Sequence, residues 1–180
     1  MYKNYLILIN DYIYTLKKDV WFDIVAPFLI SCFIGICLYN NIALVDKSFL
    51  TNILSVLGIL AGFSITSITI LTSTTNNSII ELKRRLTGIV IDGVAISIFR
   101  KLYILISYSV LICLFAIILN TIGYLIPVTK LFIKSIVCIL KALDVFVVLH
   151  IFFVNIRNIS SLYFLFFNET NLESNSDLQN

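Results

Sequence analysis

Two ionisable side chains, Lys141 and Asp144, stand three residues apart inside the long apolar run that extends from about residue 131 to 156. Three apart on an α-helix means adjoining positions on one face. Charges that deep in hydrocarbon are expensive and turn toward a bundle interior or a water path, each satisfying the other. The pair therefore reads either as an internal ion pair holding a bundle together or as part of an ion path or sensor. His150 follows nine residues after Lys141, about half a turn around the helix, and reads as a satisfied or interfacial histidine rather than a proton relay. Asp23, just inside the first apolar stretch, is expected to pair with Lys17, Lys18 or a neighbouring subunit.

A second pattern lies in SVLGILAGFSITSITILTS, residues 55 to 73. Thr51, Ser55, Gly58, Gly62, Thr66, Thr69 and Ser73 are spaced by 4, 3, 4, 4, 3 and 4 residues. That eleven-residue period keeps all seven on one side of a helix. Gly58 and Gly62 form GxxxG, which lets another helix approach closely, and Ser55, Thr66 and Thr69 are then placed to hydrogen-bond across the contact. Packing against a helix of the same bundle or of a second copy is the simpler reading. The rival is a ring of such helices presenting hydroxyls to a water-filled pore, without a charge on the stripe to select among ions.

Other chemistry is sparse. There is no GxxxxGK phosphate loop, no HExxH, no GxSxG and no pair of carboxylates in a polar loop. Cys32, Cys37, Cys113 and Cys138 all fall within apolar runs, lack a CxxC pairing and share the chain with a single histidine, so they read as reduced fillers of a packed interior. No catalytic residue, cofactor or metal is expected. An enzyme using Asp144 and His150 is disfavoured by their separation around one helix.

These residues must be positioned by membrane-spanning elements. Of 180 residues, 59% are hydrophobic and 13% charged, and mean hydropathy is +1.01, far from soluble domains with about 25% charged residues. A span needs about 20 apolar residues. Four stretches supply them, at about 21–44, 49–72, 102–126 and 131–156. The expected fold is an all-α membrane protein with four transmembrane helices as two hairpins, an N-terminal amphipathic helix and a basic cytoplasmic loop. In domain terms, residues 1–20 form an interfacial segment, 21–156 the transmembrane domain with its loop at 73–101, and 157–180 a cytoplasmic tail.

Lys3, Lys17 and Lys18 precede the first span, and Lys83, Arg84, Arg85, Arg100 and Lys101 fill the middle loop. Arg157 follows the last span, while Lys47, Lys130 and Lys134 lie near the two short connections. The positive-inside rule then puts both termini and the middle loop in the cytoplasm. Trp21, Tyr39, Tyr103 and Tyr124 suit the interfaces. Residues 1–21 lack the continuous apolar core and small-residue cleavage site of a secretory signal and are kept in the mature chain. There, Tyr2, Tyr5, Ile9, Ile13, Leu16 and Val20 oppose polar pairs, predicting a helix that lies on the inner leaflet or against the bundle. Ser78 and Glu81 form an S-x-x-E capping box before a short helix. IVIDGVAISIF, residues 89–99, admits a strand pair or a reentrant piece. The aromatic part of the C-terminal stretch extends the last helix, and the final dozen residues are a solvated tail.

LGILAGFSITSITILTST, followed by a capped basic segment and a second transmembrane hairpin, resembles small four-helix membrane subunits of bacterial anti-phage defence operons, the KwaA family of Kiwa systems. The resemblance covers architecture over most of the chain, with the second helix as its one motif-like part. It implies a non-enzymatic inner-membrane sensor, homo-oligomeric, signalling to a cytoplasmic effector protein. From the residues themselves, the partner surface would comprise Glu81, Lys83, Arg84, Arg85, Arg100 and Lys101, with lipid as the other contact and no direct nucleic-acid binding. The competing function is a pore-forming, holin-like or channel-like effector that depolarises the membrane.

Overall fold

In the computed structural model, residues 2–16, 19–42, 45–73, 77–126 and 132–177 are described, with side chains from 4 to 163 except 77 and 78. Helix α1 (Tyr2–Thr15) leads into a π-helical turn (Trp21–Val25) that continues as α2 (Ala26–Tyr39). Then come α3 (Lys47–Ser73), α4 (Asn77–Arg84), strands β1 (Leu86–Ile91) and β2 (Val94–Ser97), α5 (Ile98–Leu125) and α6 (Lys134–Asp177). Four segments, Trp21–Tyr39, Lys47–Ser73, Ile98–Leu125 and Lys134–Tyr163, are long and apolar enough to cross a membrane. The chain is an all-α membrane protein carrying one small β-hairpin.

Packing does not follow chain order. Central α5 lies against α3 and α6, and α2 makes its main helix contact with α6, so the layers run α3, α5, α6, α2. Leu57 and Ala61 of α3 meet Cys113 and Ala116 of α5 and Ile151 of α6 in one buried cluster. The outer faces stay apolar, with Phe28, Phe33, Ile59, Phe115, Ile118 and Ile139 exposed, as contact with lipid requires. Trp21, Tyr39, Tyr103 and Tyr124 are exposed near span ends, where amphipathic rings are favoured. Cys113 is fully buried, whereas Cys32 faces outward instead of filling the interior.

The helix that approaches its neighbour most closely at a glycine is α2: a Cβ on Gly35 would sit 3.1 Å from the Ala142 Cβ of α6. No GxxxG marks this position. Gly35→Val should cost about 1–3 kcal/mol by overpacking, read as an earlier thermal unfolding transition in detergent. Unfolding at the wild-type temperature would mean that α2 and α6 separate freely there.

The ambiguous segment after α4 is an antiparallel strand pair, joined at Asp92 (φ 50°) and Gly93 (φ 79°). Two consecutive positive φ angles make the primed turn that suits hairpin twist, and Asp-Gly is its favoured sequence. Ile91 and Ile96 point inward against Tyr12 of α1, Leu16 just after it, and Leu105 and Tyr108 of α5. Leu71, Ile79, Leu82 and Leu102 close a second cluster beneath α4. Thus α1, α4 and the hairpin cap one end of the bundle, the basic end. The final helix runs through to Asp177 rather than giving way to a tail twelve residues from the end.

Candidate functional site

At the basic end a network of polar side chains is buried among the spans. Asp23 is fully buried on the π-helical turn, whose extra residue per turn realigns side chains, as such turns frequently do at functional sites. Its Oδ2 accepts the Tyr12 hydroxyl at 2.7 Å and lies 2.7 Å from Arg157 Nη2. Arg157 Nη1 also reaches Asp19 Oδ2 at 3.2 Å. His150 Nδ1 is 2.6 Å from the Asp23 carbonyl. A carbonyl only accepts, so Nδ1 carries a proton; in the neutral ring Nε2 then accepts from the Tyr108 hydroxyl at 2.9 Å. The Tyr12 and Tyr108 rings stack with centroids 3.6 Å apart. Burial, then the nearby Asp23 carboxylate, pushes the Tyr12 phenol above its ordinary pKa. It remains a hydrogen-bond donor at neutral pH.

This arrangement bears on two expectations. Asp23 pairs with Arg157, an arrangement in which a desolvated carboxylate is matched by an equally buried guanidinium; Lys17 and Lys18, the partners expected from sequence, lie outside the described residues. Helix α1 turns Leu8, Asp11, Tyr12 and Thr15 inward and leaves Tyr5, Ile9 and Ile13 exposed. Asp11 and Tyr12 find partners in the bundle, Asp11 with Arg100 at 3.6 Å, Thr15 donates to the Tyr12 carbonyl of its own helix, and the apolar face is free for lipid. Sequence reading missed Tyr12, Tyr108 and Arg157. The available signal was opposite charge on Asp23 and Arg157 at the same end of two spans.

The second-helix stripe takes a different position from the inner face of α3. Thr51, Ser55, Gly58, Gly62, Thr66, Thr69 and Ser73 are all exposed. A Cβ on Gly58 or Gly62 would meet nothing within 4 Å. Packing within the same bundle is therefore not their role. Thr51, Ser55, Thr66 and Thr69 each donate to the carbonyl four residues back, at 2.9 to 3.2 Å. The hydroxyl that does cross between helices is Ser64, fully buried, 3.3 Å from Ser109 Oγ and donating to Asn155 Oδ1 at 3.1 Å.

Lys141 and Asp144 do not bond each other. Lys141 Nζ extends to the Val45 carbonyl at 2.6 Å, while Asp144 Oδ1 accepts from Asn120 Nδ2 at 2.8 Å. A long flexible side chain can run along the helix toward the interface; a short aspartate cannot. His150 sits in the other network, so Asp144 and His150 share no site.

Of the basic-end residues, Glu81, Lys83, Arg84, Arg85 and Arg100 are exposed and Lys101 is half-buried. Lys83 lies over the Phe99 ring at 5.0 Å, and Arg100 is engaged by Asp11. The Ser78 side chain of the expected capping box lies outside the described residues, as does Lys130. Fold and site together define a four-span all-α membrane protein with a capped basic end. Comparison with protein-family models, curated proteins and solved structures finds no match for this chain.

Proposed function

We infer that the chain is a non-enzymatic, homo-oligomeric sensor or anchor subunit of the bacterial inner membrane, with its basic end and termini in the cytoplasm. The observation that carries this is the stripe on α3: a close-packing face whose seven residues all stay exposed among the described residues of a single copy. Small residues in lipid favour helix association by letting backbones approach. Because four of the stripe hydroxyls already donate to their own helix, the face has little need of water. That favours packing between copies over the pore reading.

Orientation follows from the excess of lysine and arginine around α1, α4 and the hairpin. Exposed Arg84 and Arg85, with Lys83 and Glu81 on the same short helix and its end, offer a soluble effector a charged docking surface. The anti-phage setting is supported by the resemblance of the second helix and the architecture around it.

Reversing Lys83, Arg84 and Arg85 to glutamate should leave oligomer size unchanged, since these side chains are exposed, and insertion unchanged, since Lys3, Lys17, Lys18, Arg100, Lys101 and Arg157 keep that side basic, yet abolish protection of bacteria against phage. Protection that survives would reduce the cluster to a topology signal. A voltage-sensitive dye read before and during infection separates the alternatives: protein-dependent depolarisation would replace the sensor with the pore-forming effector.

A further inference from the structure

At the end of the bundle opposite the basic cap, the start of α3, the end of α5 and the first turns of α6 line a half-open cavity of about 600 Å³. That is within the range of sites for small organic ligands, roughly 300–1,000 Å³. Its wall is mostly apolar, with Leu119, Leu140 and Val147 among the lining residues, and its rim includes the exposed Leu143 and Ile122. Four charged side chains line it: Asp46, Lys47, Lys141 and Asp144. Three have their partners. Asp46 Oδ1 accepts the Phe49 N–H at 2.9 Å, Lys47 lies over the Tyr124 ring at 5.1 Å, and Lys141 donates to the Val45 carbonyl.

Asp144 is the exception. Its Oδ1 is held by Asn120, but Oδ2 is buried without a partner among the described residues. Asn120, which also lines the cavity and is only 1% exposed, likewise keeps Oδ1 unpartnered. Flipping the amide would not cure this, because Nδ2 already faces two acceptors, the Ala116 carbonyl and Asp144 Oδ1. Two buried oxygens of adjoining side chains are thus left as acceptors, one of them on a carboxylate. A buried acceptor without a donor costs about 1–3 kcal/mol, and more when charged.

We propose that this cavity is a binding site for a compact lipophilic amine, whose ammonium donates to Asp144 Oδ2 and Asn120 Oδ1 while its hydrocarbon body fills the apolar wall. An anion is disfavoured because both lysines are engaged and both free atoms are acceptors. A phospholipid amine headgroup is disfavoured by depth: Asp144 lies ten residues, about 15 Å of helix rise, beyond the start of the α6 span at Lys134. The site lies within one copy of the chain and does not depend on how copies assemble or on a soluble partner.

The test is calorimetric titration of adamantylamine into the purified full-length chain in lipid nanodiscs at neutral pH, with adamantanecarboxylate and adamantanol as matched controls. The amine should bind saturably at one site per chain and at least ten-fold more tightly than either control. Asp144→Asn, close to isosteric, should lower amine affinity at least ten-fold and erase the preference over the alcohol. Gly123→Leu, at a lining position where a new Cβ meets nothing within 4 Å, should block all three ligands without altering the unfolding transition. The proposal is overturned by non-saturable partitioning alone, by carboxylate binding equal to that of the amine, or by amine affinity unchanged in a folded Asp144→Asn. Should that variant fail to fold, the comparison of the three ligands on the wild-type chain decides.

Discussion

Asp23→Leu is expected to destabilise the protein strongly, by about 3–5 kcal/mol. The reason is what it leaves behind. Arg157 is 9% exposed, and without Asp23 its remaining ionic partner is Asp19, a third exposed and 3.2 Å away. A guanidinium so placed has lost its counter-ion without regaining water. Tyr12 loses its acceptor in the same step, and with it α1 loses its deepest polar attachment to the spans. At about 2–4 °C per kcal/mol for a chain of this size, the unfolding midpoint in detergent should fall by on the order of 10 °C.

The informative companion is Asp23→Leu with Arg157→Met. Buried ion pairs are often replaceable by apolar residues of similar volume at little net cost. The double variant should therefore recover most of the lost stability, although the Tyr12 hydroxyl stays unsatisfied. A double variant no better than the worse single, or single variants that melt with the wild type, would show that the pair does not fasten α1, α2 and α6 together.

The second large effect concerns assembly. Gly62→Leu should weaken self-association more than ten-fold, about 1.4 kcal/mol or more, while leaving each subunit's fold intact. Nothing in the subunit opposes the new side chain, since a Cβ there meets nothing within 4 Å. A helix face approaching from a second copy would be pushed away, because close backbone approach is what glycine permits. The measurement is oligomer mass in detergent by light scattering, with thermal unfolding as the control. In a background free of native cysteine, Thr66→Cys should cross-link between copies on oxidation, and Ser64→Cys, on the buried side of the same helix, should not. Unchanged mass in Gly62→Leu, or cross-linking through position 64 in place of 66, would remove the stripe from the interface.

Legibility in the sequence varies from element to element. The four spans are readable because a run of about 20 apolar residues has few other fates, and their ends differ from the expected ones by a few residues, at Tyr39, Lys47, Ile98 and Lys134, except that the last helix runs on past 156 to Asp177. The hairpin is within reach: Asp92-Gly93 between two β-branched runs is a strong hairpin signal, against which the short length of the segment keeps a reentrant piece in play. Helix α1 is legible too: Tyr5, Ile9 and Ile13 of its expected apolar face lie exposed together, although Leu16 is buried in the cluster with Tyr12. Which way that face turns is not, because a helix lying between the bundle and the lipid meets apolar surroundings on both sides and only the partners of Asp11 and Tyr12 break the tie.

The stripe shows the same limit. Its eleven-residue period places seven residues on one side of α3, and they do lie on one side. Periodicity names a face, not its neighbour. In lipid an outward face need not be polar, so nothing in composition distinguishes the stripe from the true inner face of Leu57, Ala61, Ser64 and Leu71. Gly35, preceded four residues earlier by buried Ser31 and not by a second glycine, is the glycine that lies against a neighbouring helix.

By itself, then, the amino-acid sequence determined the class of protein, the number of spans, the basic character of one end and the presence of costly charges within the helices, because each of these follows from local composition and chain length. Partnership was decided by tertiary structure alone. Arg157 reaches Asp19 across 138 positions of sequence, and Lys141 turns to a backbone carbonyl 96 positions away rather than to Asp144 beside it. A charge in a low-dielectric interior is satisfied by whichever group the packing of helices brings within about 3 Å, and that packing is set by the fit of whole faces.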